Sequence, residues 1–374
     1  MSTKPKLRVG LIGTGFMGKT HVFGFATAAK VFDLPFEIEL HTVADVTEAA
    51  ALQAASDFGF ARATSDWMGI IRHPEIDVVD ITAPNALHEE MALAAIAAGK
   101  HVYCEKPLAS RSEAARRMAE AAEAAGIRTQ VGFNYLCNPM LACAREMIRS
   151  GELGEVRGYR GLHCEDYMAD AASPYTFRHD PEGGGALADI GSHALATAEF
   201  LLGPISRLIG DCVTAIPERP VASGGVRPVT VDDTTRAFLR FENGATGSIE
   251  ANWIATGRKM QHEFDVWGTR GALTFSQERL NELHWYSVDD RPGRRGFRRI
   301  ETGPDHPPYG KFCVATGHQL GFNDLKAIEI EGFLRAIAGK IQEPFGFRAG
   351  LRIQTLVETI TRSSSERRWL DVAH

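Results

Sequence analysis

Asp189 and His193 stand four residues apart in the run Gly183-Gly184-Gly185-Ala186-Leu187-Ala188-Asp189-Ile190-Gly191-Ser192-His193, a spacing that puts both on one helix face. A carboxylate and an imidazole so placed could hold a metal ion, close a structural hydrogen bond or relay a proton. The metal reading needs further ligands, and no clustered Cys or His supplies them, so no metal is expected. Lys106 is a third candidate. It follows an apolar run in Tyr103-Cys104-Glu105-Lys106-Pro107, where a glutamate and a proline on either side give its ammonium a defined place. Such a group could hydrogen-bond a reacting oxygen and stabilise alkoxide character.

A second pattern points to a nucleotide. The apolar run VGLIG leads into Gly13-Thr14-Gly15-Phe16-Met17-Gly18 and then a helix, which is G-x-G-x-x-G in the context that gives it meaning. Gly13 permits the tight turn, Gly15 lets backbone approach a pyrophosphate, and Gly18 lets helix and strand pack closely. Phe16 and Met17 are placed at the same site. Ribose recognition needs a carboxylate at the tip of the second strand; a spacing of roughly 20 residues points near Asp33, inside AAKVFDLPF, whereas the end of EIELHTVAD points to Asp45. Asp45 is chosen, and with it NAD rather than NADP. The fourth strand ends in Thr82-Ala83-Pro84-Asn85-Ala86-Leu87-His88 and the fifth in Glu105-Lys106, so Pro84, Asn85, His88, Glu105 and Lys106 are expected around the cofactor.

These residues must be held by a framework, and 374 residues exceed one compact core. The runs LRVGLIG, EIELHTVAD, VVDITA, HVYCE and RTQVGF alternate with Ala-rich helical stretches, which predicts a doubly wound parallel Rossmann sheet over residues 1–135. Residues 136–374 change rhythm: a helix near Met140–Ser150, a strand EVRGYRGLH, a helix after the glycine run, then alternating strands. TRAFLRFENGATGSIEANW carries Asn243-Gly244 as a hairpin signal. This half reads as an α+β domain with a large, mostly antiparallel sheet. Segments 217–231 and DDRPGRRGFRRIETGPDHPPYG read as loops, and helices return near Leu325–Ile341 and Gly350–Ser363.

Composition narrows the function. A formal charge of −6, from 41 Lys and Arg against 47 Asp and Glu, argues against a nucleic-acid partner. No run nears the roughly 18 apolar residues that span a bilayer, and MSTKPKLRVGLIG lacks a signal segment, so the cytoplasm is expected and no membrane partner. Six cysteines lie scattered without C-x-x-C and read as reduced; Cys104 reads as a buried structural thiol.

GTGFMG, TAPNALH, CEKPLA and GGGALADIGSH together resemble the Gfo/Idh/MocA family of glucose-fructose oxidoreductases, inositol dehydrogenases and related enzymes, over nearly the whole chain. GFMGK, TSDW, IPERP and RRGFR…GPDHPPYG are similar to levoglucosan and inositol dehydrogenase-like members, while HCEDYMADAASPYTFRHDPEGGG departs from the levoglucosan-type pattern. The resemblance implies a Rossmann domain followed by a substrate-binding domain whose open sheet forms the interface of a homodimer or homotetramer. It also implies Lys106, Asp189 and His193 as the catalytic set. The expected activity is NAD-dependent oxidation of a secondary hydroxyl of a sugar, anhydrosugar or inositol. His193 is the preferred base, exchangeable with Lys106, and Asp189 orients the sugar or the imidazole. Asn134, Tyr135, Tyr159, Arg160, Arg178 and His179 are candidate substrate contacts, with Arg178 able to clamp an anionic group. Two alternatives use the same residues: a redox-neutral NAD-dependent glycosidase, for which Arg178 and the loop Arg291–Arg299 would suit a sulfonated sugar, and a nucleotide sensor without chemistry.

Overall fold

The structure, a computed structural model, describes residues 4–373. The chain divides into two compact units, Met1–Cys137 with Gly321–Arg352, and Asn138–Leu320 with Ile353–His374. The first boundary falls two residues beyond the expected one. The return of 321–352 to the first unit was not foreseen, because periodicity announces a helix without saying which sheet it covers.

In the first unit the strands are separated by helical crossovers, so neighbours must run parallel. Among the described residues β1 (Lys6–Ile12), β2 (Glu37–Ala44), β3 (Arg62–Thr64), β4 (Val78–Ile81), β5 (His101–Cys104) and β6 (Thr129–Val131) pair in the order β3-β2-β1-β4-β5-β6. β4 is buried along its whole length, as a strand covered on both faces requires. The chain passes from β1 to one side and returns to β4 on the other. The carboxyl ends of β1 and β4 therefore border the crevice where open α/β sheets bind ligands.

The second unit is the expected α+β arrangement. Its strands are β7 (Val156–Cys164), β8 (Ile205–Val213), β9 (Glu218–Pro220), β10 (Val226–Pro228), β11 (Thr234–Phe241), β12 (Thr246–Asn252), β13 (Gln261–Gly268), β14 (Gly271–Ser276), β15 (Glu282–Ser287), β16 (Arg298–Glu301) and β17 (Leu370–Asp371). Nine of them, among the described residues, form an open sheet in the order β16-β15-β14-β13-β7-β12-β11-β8-β17, antiparallel except for the β12–β7 pair. β9 and β10 pair inside segment 217–231, and β16 lies inside the second segment read as loop; Pro and Gly density hid both.

Alternation along β11 shows how the sheet is sided. Ala237, Leu239 and Phe241 are buried, whereas Arg236, Phe238 and Arg240 are exposed. Helix Ser192–Leu202 packs over β7 and β12 on the buried side. The other face carries ion pairs Arg160–Asp265 (2.6 Å) and Arg236–Glu250 (2.7 Å). Among the described residues no helix is long and apolar enough to cross a membrane.

Trp253 ties this unit together: its buried indole N–H donates to Asp233 at 2.7 Å, and Asp233 also accepts from the amides of Ala215 and Ile216. Trp253→Phe keeps most of the apolar contact and removes a bond to a charged acceptor. It is expected to cost about 1.5–3 kcal/mol, read as a lowered urea midpoint with faster hydrogen exchange in β11 and β12.

Candidate active site

Each glycine of the first motif meets a distinct steric demand. Gly13 has φ of +99°, and a Cβ there would lie 2.8 Å from the Thr82 carbonyl oxygen. At Gly18 a Cβ would lie 2.3 Å from the Gly13 oxygen, so helix Phe16–Val31 sits against the β1 turn only with glycine at that position. Gly15 is the opposite case, since nothing lies within 4 Å of its absent Cβ. It is also the N-cap of that helix and supplies no side-chain cap, so the first-turn amides present their positive end to open space.

Asp45 follows β2 and accepts from the Thr14 hydroxyl and from the Val46 amide at 2.6 Å, which fixes a carboxylate beside the glycine turn. Asp33, by contrast, is an exposed partner of Lys4 at 2.6 Å. Glycine cradle, helix terminus and Asp45 together fit an adenine dinucleotide with a free ribose diol. Phe16 is largely exposed and stacks with Phe322 at 6.0 Å; Met17 is half-buried; Pro84 is exposed and Asn85 half-buried at the end of β4.

Two residues expected at the cofactor have polar atoms engaged by protein groups. His88 is fully buried, its ring nitrogens 2.9 Å from the Pro107 carbonyl and 2.8 Å from the Ala83 carbonyl. Burial lowers its pKa, so the ring is neutral and donates to one carbonyl at a time. It ties the loop after β4 to the loop after β5. Glu105 is likewise turned inward. Its carboxylate accepts from His21 Nε2 (2.8 Å), Lys326 Nζ (3.1 Å) and the Lys106 amide (3.1 Å). Burial works against its ionised form, yet Lys326 and His21 hold it well below the usual carboxylate range.

Lys106 stands at the end of β5, half-buried, before a cis bond to Pro107. Asn134, just after β6, is buried with its side-chain nitrogen unpartnered among the described residues, a group awaiting an acceptor. Tyr135 packs toward Phe322 at 5.9 Å.

In the second unit the glycine run makes room for backbone. At Gly184 a Cβ would lie 2.4 Å from the Arg178 and Asp180 carbonyl oxygens, and at Gly185, with φ of +100°, 2.3 Å from Asp232. The helix expected after it begins differently. Leu187–Gly191 winds as a π turn before the α-helix Ser192–Leu202, a wider coil than a four-residue spacing implies.

On that turn Asp189 Oδ2 accepts from Arg178 Nε (2.9 Å) and the Tyr167 hydroxyl (2.8 Å). Burial and the neighbouring Asp189 push Tyr167 well above its ordinary pKa, so it remains a donor. The Arg178 guanidinium also lies 4.7 Å from the centre of the Phe177 ring. It is thus engaged by Asp189 rather than presented alone to a ligand. His193 is nearly buried, its ring 5.7 Å from that of His163 and 6.3 Å from that of His262. His163 contacts the Ile190 carbonyl (3.1 Å) and Glu165 (2.9 Å), and His262 contacts the Thr197 hydroxyl at 3.1 Å. Burial, then the neighbouring His163, pulls the His262 pKa well down.

Three further candidates separate from this cluster. Tyr159 is buried beneath helix Ser192–Leu202, its hydroxyl 3.5 Å from the Ala194 carbonyl, whereas Arg160 pairs with Asp265 on the open face, as alternation along β7 demands. His179 is buried, accepts the Thr176 amide at 3.0 Å and packs against Trp253.

Residues 7–133 match the model of an oxidoreductase family with an NAD-binding Rossmann fold, and residues 141–274 match the GFO/IDH/MocA C-terminal domain. A levoglucosan dehydrogenase of Pseudarthrobacter phenanthrenivorans is 39% identical across 98% of both chains. The chain belongs to the GFO/IDH/MocA family. It is an NAD-binding oxidoreductase. An inositol 2-dehydrogenase of Saccharopolyspora erythraea is 31% identical over 78% of this chain and 80% of its own. The solved structure of a levoglucosan dehydrogenase with NADH and levoglucosan superposes with a TM-score of 0.96 at 39% identity, covering 99% of this chain and all of the other.

Within this GFO/IDH/MocA member, His21, Lys326 and Glu329 are the residues that sequence reasoning missed beside Lys106, and Tyr167, His163 and His262 those beside Asp189 and His193. One signal was present: Lys326 and Glu329 fall on the apolar stripe of helix Phe322–Ile337, among buried Leu325, Ile330 and Phe333. Among the described residues, His41, His73 and Glu75 offer donor atoms within 4.8 Å of one another. Arg62 lies 3.2 Å from His73 Nε2.

Asp45→Ala is expected to raise the NADH dissociation constant by about tenfold, about 1.4 kcal/mol, and to narrow the preference over NADPH. Fluorescence titration measures both, and unchanged affinities would remove Asp45 from the ribose site.

Proposed function

We propose that this chain oxidises a secondary hydroxyl of a sugar, anhydrosugar or inositol, with Lys106, Asp189 and His193 as its catalytic residues. The observation that carries this reading is the cluster of the second unit, in which the Asp189 carboxyl is held by Arg178 and Tyr167 on the same turn that leads into His193. A polyhydroxylated substrate needs such a mixture of fixed donors and acceptors, and an imidazole takes and releases a proton near neutrality. The relatives that oxidise levoglucosan and inositol by name support the substrate class.

When bound, NAD supplies the hydride acceptor. The protein's own groups handle the proton. His193 takes it from the substrate hydroxyl, Lys106 donates a hydrogen bond to the oxygen as negative charge develops, and Asp189 orients a neighbouring hydroxyl. Asn134 and Tyr135 contribute further polar contacts.

Arg178, already paired with Asp189, gives little support to an anionic or sulfonated substrate. We also propose the open face of the large sheet as the surface of self-association. Phe238 and Trp267 stand exposed there between charged ladders, 65% and 44% accessible.

With levoglucosan or an inositol, one NADH is expected per sugar oxidised, followed at 340 nm beside chromatography of the sugar. Sugar conversion without net NADH would replace the dehydrogenase by redox-neutral cleavage. Lys106→Ala and His193→Ala should each lower kcat by about 10²- to 10⁴-fold while NADH still binds. Phe238→Glu should shift the light-scattering mass toward the monomer.

A further inference from the structure

We infer that Lys326, acting through Glu105 with His21 as a second brace, is the positioning residue that fixes Lys106 at the end of β5. The inference rests on the proposed role of Lys106 and extends it to groups that never meet a substrate.

Glu105 is held on every side. One carboxylate oxygen accepts from Lys326 Nζ at 3.1 Å and His21 Nε2 at 2.8 Å, and the other accepts the backbone N–H of Lys106 at 3.1 Å. Gly132 closes the remaining side, where a Cβ would lie 2.2 Å from Glu105 Oε1. Each brace is itself braced. Lys326 pairs with Glu329 at 2.7 Å and donates to the Tyr103 hydroxyl at 2.9 Å, while Tyr103 donates to Glu329. His21 Nδ1 faces Asp80 at 2.8 Å. His21 and Lys326 are both wholly buried, so their charges are spent on carboxylates and reach no ligand.

Six charged or titratable groups in a protein interior are a poor way to gain stability, since well-packed apolar residues usually do as well or better. They are a good way to fix direction, because a carboxylate held by two cations cannot rotate. The peptide of Lys106 hangs from that carboxylate. Its ammonium therefore starts from a fixed backbone, as a catalytic group needs when small misplacements are costly.

The test compares wild type with Lys326→Met and Glu105→Gln in the full chain. Gln is close to Glu in size, but it must turn an amide –NH2 toward either the two cations or the Lys106 N–H, which are all donors. Four quantities are measured: kcat and KM with levoglucosan, the NADH dissociation constant, and the ¹³C-methyl resonance of reductively methylated Lys106, assigned with Lys106→Arg. Both variants are expected to lose about 100-fold in kcat with KM and NADH affinity changed by less than about threefold, and to displace the Lys106 resonance. Normal kcat with an unmoved resonance overturns the inference. So does a loss of NADH affinity in step with kcat, the mark of general disruption. If Lys326→Met does not fold, Glu105→Gln decides on the same readouts. A wild type that turns over no sugar would overturn the proposed function, and the Lys106 resonance would still decide this inference.

Discussion

An ionised carboxylate taken out of water must be surrounded by donors, and Glu105 imposes that requirement on the whole first unit. Its partners come from the helix after β1, from the helix Phe322–Ile337 and from its own chain neighbour. The helix therefore has to return to the Rossmann sheet, across 221 positions of sequence, although the intervening chain builds a different unit. Removing one partner from such a buried group costs about 3–5 kcal/mol. That is comparable to the whole stability margin of a small domain, so this arrangement is part of the fold as well as of the site.

The same principle, polar groups satisfied locally, organises the second unit at smaller scale. Asp233 collects two loop amides and the Trp253 indole, and Asp232 receives the Leu187 amide and the Thr235 hydroxyl, which anchors the start of the π turn. Asp189 then stands on a turn fixed from beneath. Its oxygen is shared by Arg178 and Tyr167, both from the segment that leads into the glycine run. Variation there alters what surrounds the carboxylate while leaving the turn that carries it in place.

The sequence spoke most clearly where one residue type alone meets a local demand. Gly13, Gly15 and Gly18 take separate tasks from the sequence alone, and strand-end geometry prefers Asp45 to Asp33. Apolar runs told of the parallel sheet, and Asn243-Gly244 of a hairpin. What stayed hidden depends on long-range pairing. His88 looked like a ligand contact because its spacing from the strand is right, and only the carbonyls of Ala83 and Pro107 show that its edges are occupied. Glu105 was expected at the cofactor beside Lys106, and its carboxylate is turned inward to His21 and Lys326. The π turn leaves no mark in a four-residue spacing. Lys326 was in view as a charge on an apolar stripe, and its meaning required knowing which carboxylate lay opposite.

The most direct measurement of the central claim follows the transferred atom. Levoglucosan deuterated at its ring carbons is incubated with the protein and NAD, and the reduced nicotinamide is analysed by mass spectrometry. NADH one mass unit heavier is expected, formed in step with the ketone product. Reduced cofactor of ordinary mass, or sugar that changes while no heavy NADH forms, would contradict it.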